Sequence, residues 1–237
     1  SIHYVAGVDY YFKRWERPFK LSAEVYYKSL SKLIPYDVDN VQIRYYGENL
    51  SEGYARGLDL RLFGEFVPGV DSWISLSFLK TEEDLLNDFI PDYVDEDGRI
   101  GTLYPGYVPR PTDQAYNISL FFQDYFPGNP NYKVHLKGVY AAPLPFGPPN
   151  GQKYQISDGV RPYTRVDIGF SRIIMVDKQS SLLKHVKQIW IGADVFNMFD
   201  INNVNSYFWV PDVYGNTFAV PNYLTGRRFN VSLTVKF

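Results

Sequence analysis

The sequence predicts an all-β chain, an antiparallel transmembrane β-barrel segment occupying residues 1–237 as one domain. About nine strands are expected, making an incomplete barrel with long extracellular loops and short periplasmic turns. Three observations predict this: side-chain character alternates with period two from end to end, connections alternate between shorter and longer, and aromatic residues gather where strands end. Successive side chains of a strand point to opposite faces, so period two means one apolar and one polar face.

In chain order the first two strands lie near residues 2–13 and 20–33. In the third, Leu58, Leu60, Leu62 and Phe66 oppose Asp59, Arg61 and Glu65. Strands near 72–82 and 113–126 follow. Val134, Leu136, Gly138 and Tyr140 then oppose Lys133, His135 and Lys137, and Val166, Ile168 and Phe170 oppose Arg165, Asp167 and Ser171. Ile189, Ile191, Ala193 and Val195 oppose Gly192 and Asp194. The last strand sets Phe229, Val231, Leu233, Val235 and Phe237 against Arg228, Asn230, Ser232, Thr234 and Lys236. His3, Asp9, Lys13, Glu24, Lys28 and Gln123 also fall on the polar face. Lys80, Asp124 and Arg172 have apolar-face parity but lie near strand ends, where a membrane strand meets headgroups.

A sheet with one wet face alternates in the same way, so the connections decide. Short ones fall at Arg14–Phe19, Pro68–Asp71, Pro127–Asn131 and Asp177–Lys187; long ones at Ile34–Leu50, Glu83–Thr112, Pro143–Val160 and Ile201–Asn222. Outer-membrane barrels sort their loops like this, whereas a Greek-key sandwich has no reason to. Tyr10-Tyr11-Phe12, Tyr26-Tyr27, Tyr125-Phe126 and Tyr207-Phe208-Trp209 suit aromatic girdles at the interface. The chain carries 4 Trp, 21 Tyr and 17 Phe, 18% aromatic, enough to furnish them.

Composition excludes other classes. A formal charge of −2 gives no basic face for nucleic acid. Zero Cys removes disulfide scaffolds, thiolate metal sites and cysteine nucleophiles. No run approaches the ~18 apolar residues of a membrane helix. The three His, at 3, 135 and 185, show no ligand spacing, and no nucleophile elbow occurs. The acidic stretch with Asp92, Asp95, Glu96 and Asp97 fails the calcium-loop pattern at Tyr93 and reads as a solvated loop.

With these residues in hand, the sequence resembles the C-terminal part of a TonB-dependent outer-membrane receptor of the Bacteroidetes type. The stretches that carry the likeness are Gly192–Asp200, reading GADVFNMFD, the terminal Arg228–Phe237, and Leu21–Lys28, reading LSAEVYYK. The resemblance implies nutrient uptake (siderophore, haem, cobalamin or glycan/peptide) energised by the TonB complex, without catalysis or cofactor. It also implies an assembly signal at Phe229, Val231, Leu233, Val235 and Phe237, read by the barrel-assembly machinery. Implied partners are outer-membrane lipid, an N-terminal plug with the remaining strands, and in some cases a surface lipoprotein. Parity agrees that strands are missing: nine leave the first and last parallel, and such barrels have even counts. Against the ~22 strands of plugged transporters, about thirteen are expected upstream.

Asp59, Arg61, Glu65, Lys133, Lys137, Arg165, Asp167, Asp194 and Arg228 are expected to face a wet lumen or the plug. Substrate contact is expected in the outer loops from Tyr45, Tyr46, Arg110, Tyr207, Trp209 and Tyr214, because rings stack on ring-bearing solutes and Arg pairs with carboxylates. The rival readings are a passive porin, a soluble secreted glycan-binding β-protein and an outer-membrane hydrolase.

Overall fold

A computed structural model describes residues 1–94, 97–126, 129–147, 160–174, 186 and 188–236. The nine strands expected from alternation are all present: β1 (Ile2–Arg14), β2 (Arg17–Leu33), β5 (Ser51–Val67), β6 (Val70–Leu85), β10 (Tyr116–Phe126), β11 (Asn129–Ala141), β12 (Tyr163–Ile174), β13 (Gln188–Phe196) and β16 (Arg228–Lys236). They form one antiparallel meander in the order β1-β2-β5-β6-β10-β11-β12-β13-β16. Phe237 and the turn Asp177–Lys187, except Val186, lie outside the described residues.

Cross-strand register puts every alternating set on a common face. One row runs Val8, Ala23, Leu60, Leu76, Ile118, Tyr140, and another Leu136, Ile168, Val195, Phe229. The row one residue away reads Asp9, Ser22, Arg61, Ser75, Ser119, Val139, Arg165. A one-residue slip would exchange the faces, so the pattern holds the register.

Among the described residues no second layer covers the apolar face. Val8, Val25, Phe78, Ile191 and Leu233 are all exposed, Val8 at 62% and Leu233 at 67%. The buried apolar side chains among the described residues are few (Phe19, Val70, Val108, Ala141, Ala142 and Val186). The sheet is also open: β1 and β16 each pair on one side only and, as the first and ninth strands of an antiparallel meander, run in the same direction. No closed barrel forms among the described residues.

Two aromatic belts bound the apolar band. At the long-loop end Tyr27 stacks on Tyr54, Tyr54 meets Tyr107, and Tyr116 stacks on Tyr140. At the short-turn end Tyr10, Phe12, Phe19 and Phe66 form a chain of ring contacts, and Tyr132 packs against Phe126 and Phe170. Tyr27 to Phe19 and Tyr140 to Tyr132 are each eight residues apart, about 27 Å along a strand. Level with the upper belt, Arg56 and Lys80 share the row of Tyr27 and Glu82 faces Tyr54; Lys80 and Glu82 pair at 2.9 Å and Tyr54 donates to Glu82, so apolar-face charge resumes where the band ends.

The first two short connections are tighter than expected, each leaving two residues between strands; Pro127 and Gly128 of the third lie outside the described residues. The first is a two-residue turn, Trp15-Glu16, with both residues at positive φ (52° and 61°). That is the conformation a hairpin of this length needs, normally supplied by Asn-Gly. Trp15 sits edge-on to Phe19 with Arg14 over its ring, contacts that offset the backbone cost. The long connections are not plain loops. Three of the four carry hairpins of their own, β3 (Tyr36–Asp39) with β4 (Gln42–Tyr45), β7 (Ile90–Val94) with β8 (Ile100–Leu103), and β14 (Val204–Pro211) with β15 (Thr217–Tyr223), while β9 (Tyr107–Pro109) pairs onto β6; most of the fourth, Pro143–Val160, lies outside the described residues.

Candidate functional site

The polar face is cross-linked side chain to side chain. Asp9 takes a hydrogen bond from Ser22 at 2.6 Å and an ion pair from Lys20 at 3.0 Å. Arg165 binds Asp167 at 2.7 Å, and the same carboxylate accepts the Asn197 N–H at 2.9 Å. His135 reaches across β12 to Asp194 at 3.3 Å, and Asn230 donates to Asp194 from the other side at 3.1 Å. Gly169 makes that crossing possible, since a Cβ there would lie 2.1 Å from the His135 ring. Arg61 lies over Trp73 and Lys133 over Tyr125.

Of the residues expected on this face, Asp59, Arg61, Lys133, Lys137, Arg165, Asp167, Asp194 and Arg228 share it by register. Glu65 sits where the β5–β6 register breaks, and its carboxylate accepts the Gly69 N–H at 3.0 Å, closing the short turn. Asp95, Glu96 and His185 lie outside the described residues. Among the described residues no group of three or more His, Asp or Glu is placed to hold a metal ion.

At the long-loop end of the polar face lies a cavity of about 420 Å³. Its floor is the main sheet, through Asn117, Val139, Ala141 and Tyr163. Its roof comes from hairpins that enter from opposite flanks of the sheet, Asn40 at the β3–β4 turn and Ser206, Tyr207 and Trp209 on β14. The two hairpins are joined directly: the buried Ser206 hydroxyl donates to Asn40 Oδ1 at 2.6 Å, and Asn222 donates to Ser206 at 3.2 Å. Phe146, from the loop after β11, stacks on Tyr207 at 4.0 Å and leans on Trp209 at 5.7 Å. Burial raises the Tyr207 phenol above its ordinary range, so it stays protonated.

The six expected substrate residues are thus divided. Tyr207 and Trp209 wall the cavity. Tyr214 is 87% exposed at the tip of the β14–β15 hairpin, and Tyr45 is exposed against Tyr36. Tyr46 donates to Asp37 at 2.8 Å, where burial and that carboxylate raise its phenol far above the usual range. Arg110 lies over Tyr36, 3.7 Å from the fully buried Glu83, whose charge it offsets. These last two brace the loop bases. Sequence reading missed Asn40, Gln114, Asn117 and Phe146; they are ordinary polar and apolar loop or strand residues, and only tertiary placement brings them together.

Architecture and cavity are the whole basis for a functional reading, for no family model matches the chain and no curated protein matches it.

Proposed function

We propose that the chain is the C-terminal barrel portion of a TonB-dependent receptor in a Gram-negative outer membrane, supplying wall, outer loops and assembly signal for uptake of a scarce nutrient. The observation that carries this is the apolar face. It is continuous over nine strands, uncovered, and bounded by aromatic belts about 27 Å apart along the strand. With the ~35–45° tilt of barrel strands that becomes about 20 Å across, near the ~25 Å apolar band of such barrels. Lipid is the cover that fits, because a water-facing sheet of this size would aggregate.

The open edges support a larger barrel. Unpaired N–H and C=O groups in hydrocarbon cost several kcal/mol each, so β1 and β16 require partner strands. By the resemblance those precede β1 together with a plug, which the mixed-charge polar face would meet. In this reading Phe229, Val231, Leu233, Val235 and Phe237 address the assembly machinery, a surface lipoprotein can cap the loops, and this portion has no catalytic role.

The test is the denatured mass of the native polypeptide in outer membranes, detected through a peptide covering Ile189–Phe199, with uptake assayed after TonB removal. A mass several times 27.5 kDa and TonB-dependent uptake are expected. A polypeptide near 27.5 kDa recovered in detergent-free buffer would sink the reading, and uptake indifferent to TonB would favour a passive porin.

A further inference from the structure

We infer that the cavity under the joined hairpins holds an uncharged, hydroxyl-bearing solute with an apolar ring face, a short neutral oligosaccharide. This rests on the receptor reading and narrows its substrate. The lining is mostly apolar and carries four carboxamides, Gln114 and Asn117 on the floor side and Asn40 and Asn205 on the roof side. Asn117 gives one hydrogen to Gln114 at 3.2 Å, and Gln114 gives one to Ala142 at 3.0 Å. A carboxamide has two donor hydrogens and an oxygen with two lone pairs, so each keeps donor and acceptor positions for a solute. Groups that both donate and accept match hydroxyls, which do the same.

Charge points the same way. Among the described lining residues there is one cation, Arg161, and no carboxylate. A ferric tris-catecholate carries several negative charges and haem carries two propionates; burying either calls for several matched cations. A cationic solute would want an acid. The aromatic groups, Trp209 beside the Phe146–Tyr207 stack, offer a flat apolar wall for the C–H face of a sugar ring. The volume, about 420 Å³, falls in the lower part of the ~300–1,000 Å³ range of ligand sites and suits a compact solute.

The experiment is calorimetric titration of the whole receptor, purified in detergent from outer membranes. The probes are maltotriose, cellotriose and xylotriose, with hemin and a ferric tris-catecholate as charged comparators. Saturable binding of at least one trisaccharide is expected and none of either comparator. Trp209→Ala should weaken that binding about tenfold, Asn117→Ala several-fold, while Trp209→Phe, which keeps a ring and guards against misfolding, should retain most of it. Absence of binding by all three trisaccharides, or binding indifferent to Trp209→Ala and Asn117→Ala, overturns the inference. Hemin or the chelate binding in a Trp209-dependent way overturns it too, while leaving the receptor reading intact. Trp209-dependent trisaccharide binding with uptake unaffected by TonB removal upholds the inference and sinks the receptor reading.

Discussion

Leu60 and Arg61 are neighbours in the chain, yet they belong to surfaces built on different rules. The face holding Leu60 is apolar across the middle of its strands, with Arg56, Lys80, Asp124 and Arg172 toward their ends, and its side chains are largely exposed. The face holding Arg61 is a set of particular partnerships: Arg61 over Trp73, Arg165 with Asp167, His135 with Asp194. One face specifies a solvent and the other specifies geometry. They should therefore respond differently to substitution.

The largest expected effect tests that contrast directly. Leu60→Arg places a charge in the apolar band and, on the proposed barrel reading, should destabilise the folded protein in vesicles by about 2–4 kcal/mol if it lies near the midplane. Arg61→Leu, one residue on, loses a cation–π contact and should cost about 1 kcal/mol or less. Denaturant unfolding of both variants measures the difference. Equal sensitivity would overturn the assignment of faces.

Space sharpens the same comparison on the polar face alone. Gly57 lies under the Tyr26 ring, and a Cβ there would stand 2.5 Å from the Phe78 carbonyl oxygen, which is backbone and cannot swing away. Gly7 has the same parity but its nearest atom would be 3.5 Å off. Gly57→Ala should cost about 1–3 kcal/mol through overpacking, whereas Gly7→Ala should be neutral or slightly stabilising. A Gly57→Ala variant as stable as wild type would show that Tyr26 and the β6 backbone shift freely and the polar face is not specified by packing.

Next in size is the corner between β13 and the β14–β15 hairpin. Asn197, 3% exposed and at positive φ, donates to the Ile201 carbonyl and accepts the Ile201 N–H. Asn197→Ala strands both groups and should cost about 1–2 kcal/mol, seen as lost protection at Ile201. Unchanged hydrogen exchange there would mean the corner is held by backbone donors, Asn197 N–H to Asp167 and Met198 N–H to the Val166 carbonyl.

How much of this could be read from the sequence follows from the same contrast. The nine strands and both faces were legible because alternation is a local signal repeated over every strand. The Trp15-Glu16 turn was not: neither residue favours positive φ, and the ring contacts of Trp15 with Phe19 and Arg14 that hold it there form no recognisable turn motif. The hairpins inside the long connections were missed for a related reason. Segments such as Tyr36–Asp39 are four residues long, too short to establish a period. Of the site, Tyr207 and Trp209 were visible as aromatics in a long loop. Asn40 was not, because its significance is a bond to Ser206, 166 residues away.

The smallest expected effect lies at the tip of the β14–β15 hairpin, where a side chain organises backbone without any burial. Asp212 accepts hydrogen bonds from the Tyr214 and Asn216 N–H groups at 2.8 Å and from the Asn216 side chain at 2.9 Å. Those bonds, the Asn216 side chain first, hold its carboxyl below the ordinary carboxylate range. A carboxyl with a lowered folded-state pKa stabilises fully above its unfolded value of about 3.9 and loses that contribution as pH falls through the folded value. Protection of the Tyr214 and Asn216 amides should accordingly drop as the pH falls below about 4, and Asp212→Asn should remove the dependence. Amides of the main sheet, such as Leu60, should not follow, since no part of their bonding depends on Asp212. If tip and sheet lost protection together, the hairpin would be cooperative with the barrel wall, and the roof of the cavity could not open without unfolding it.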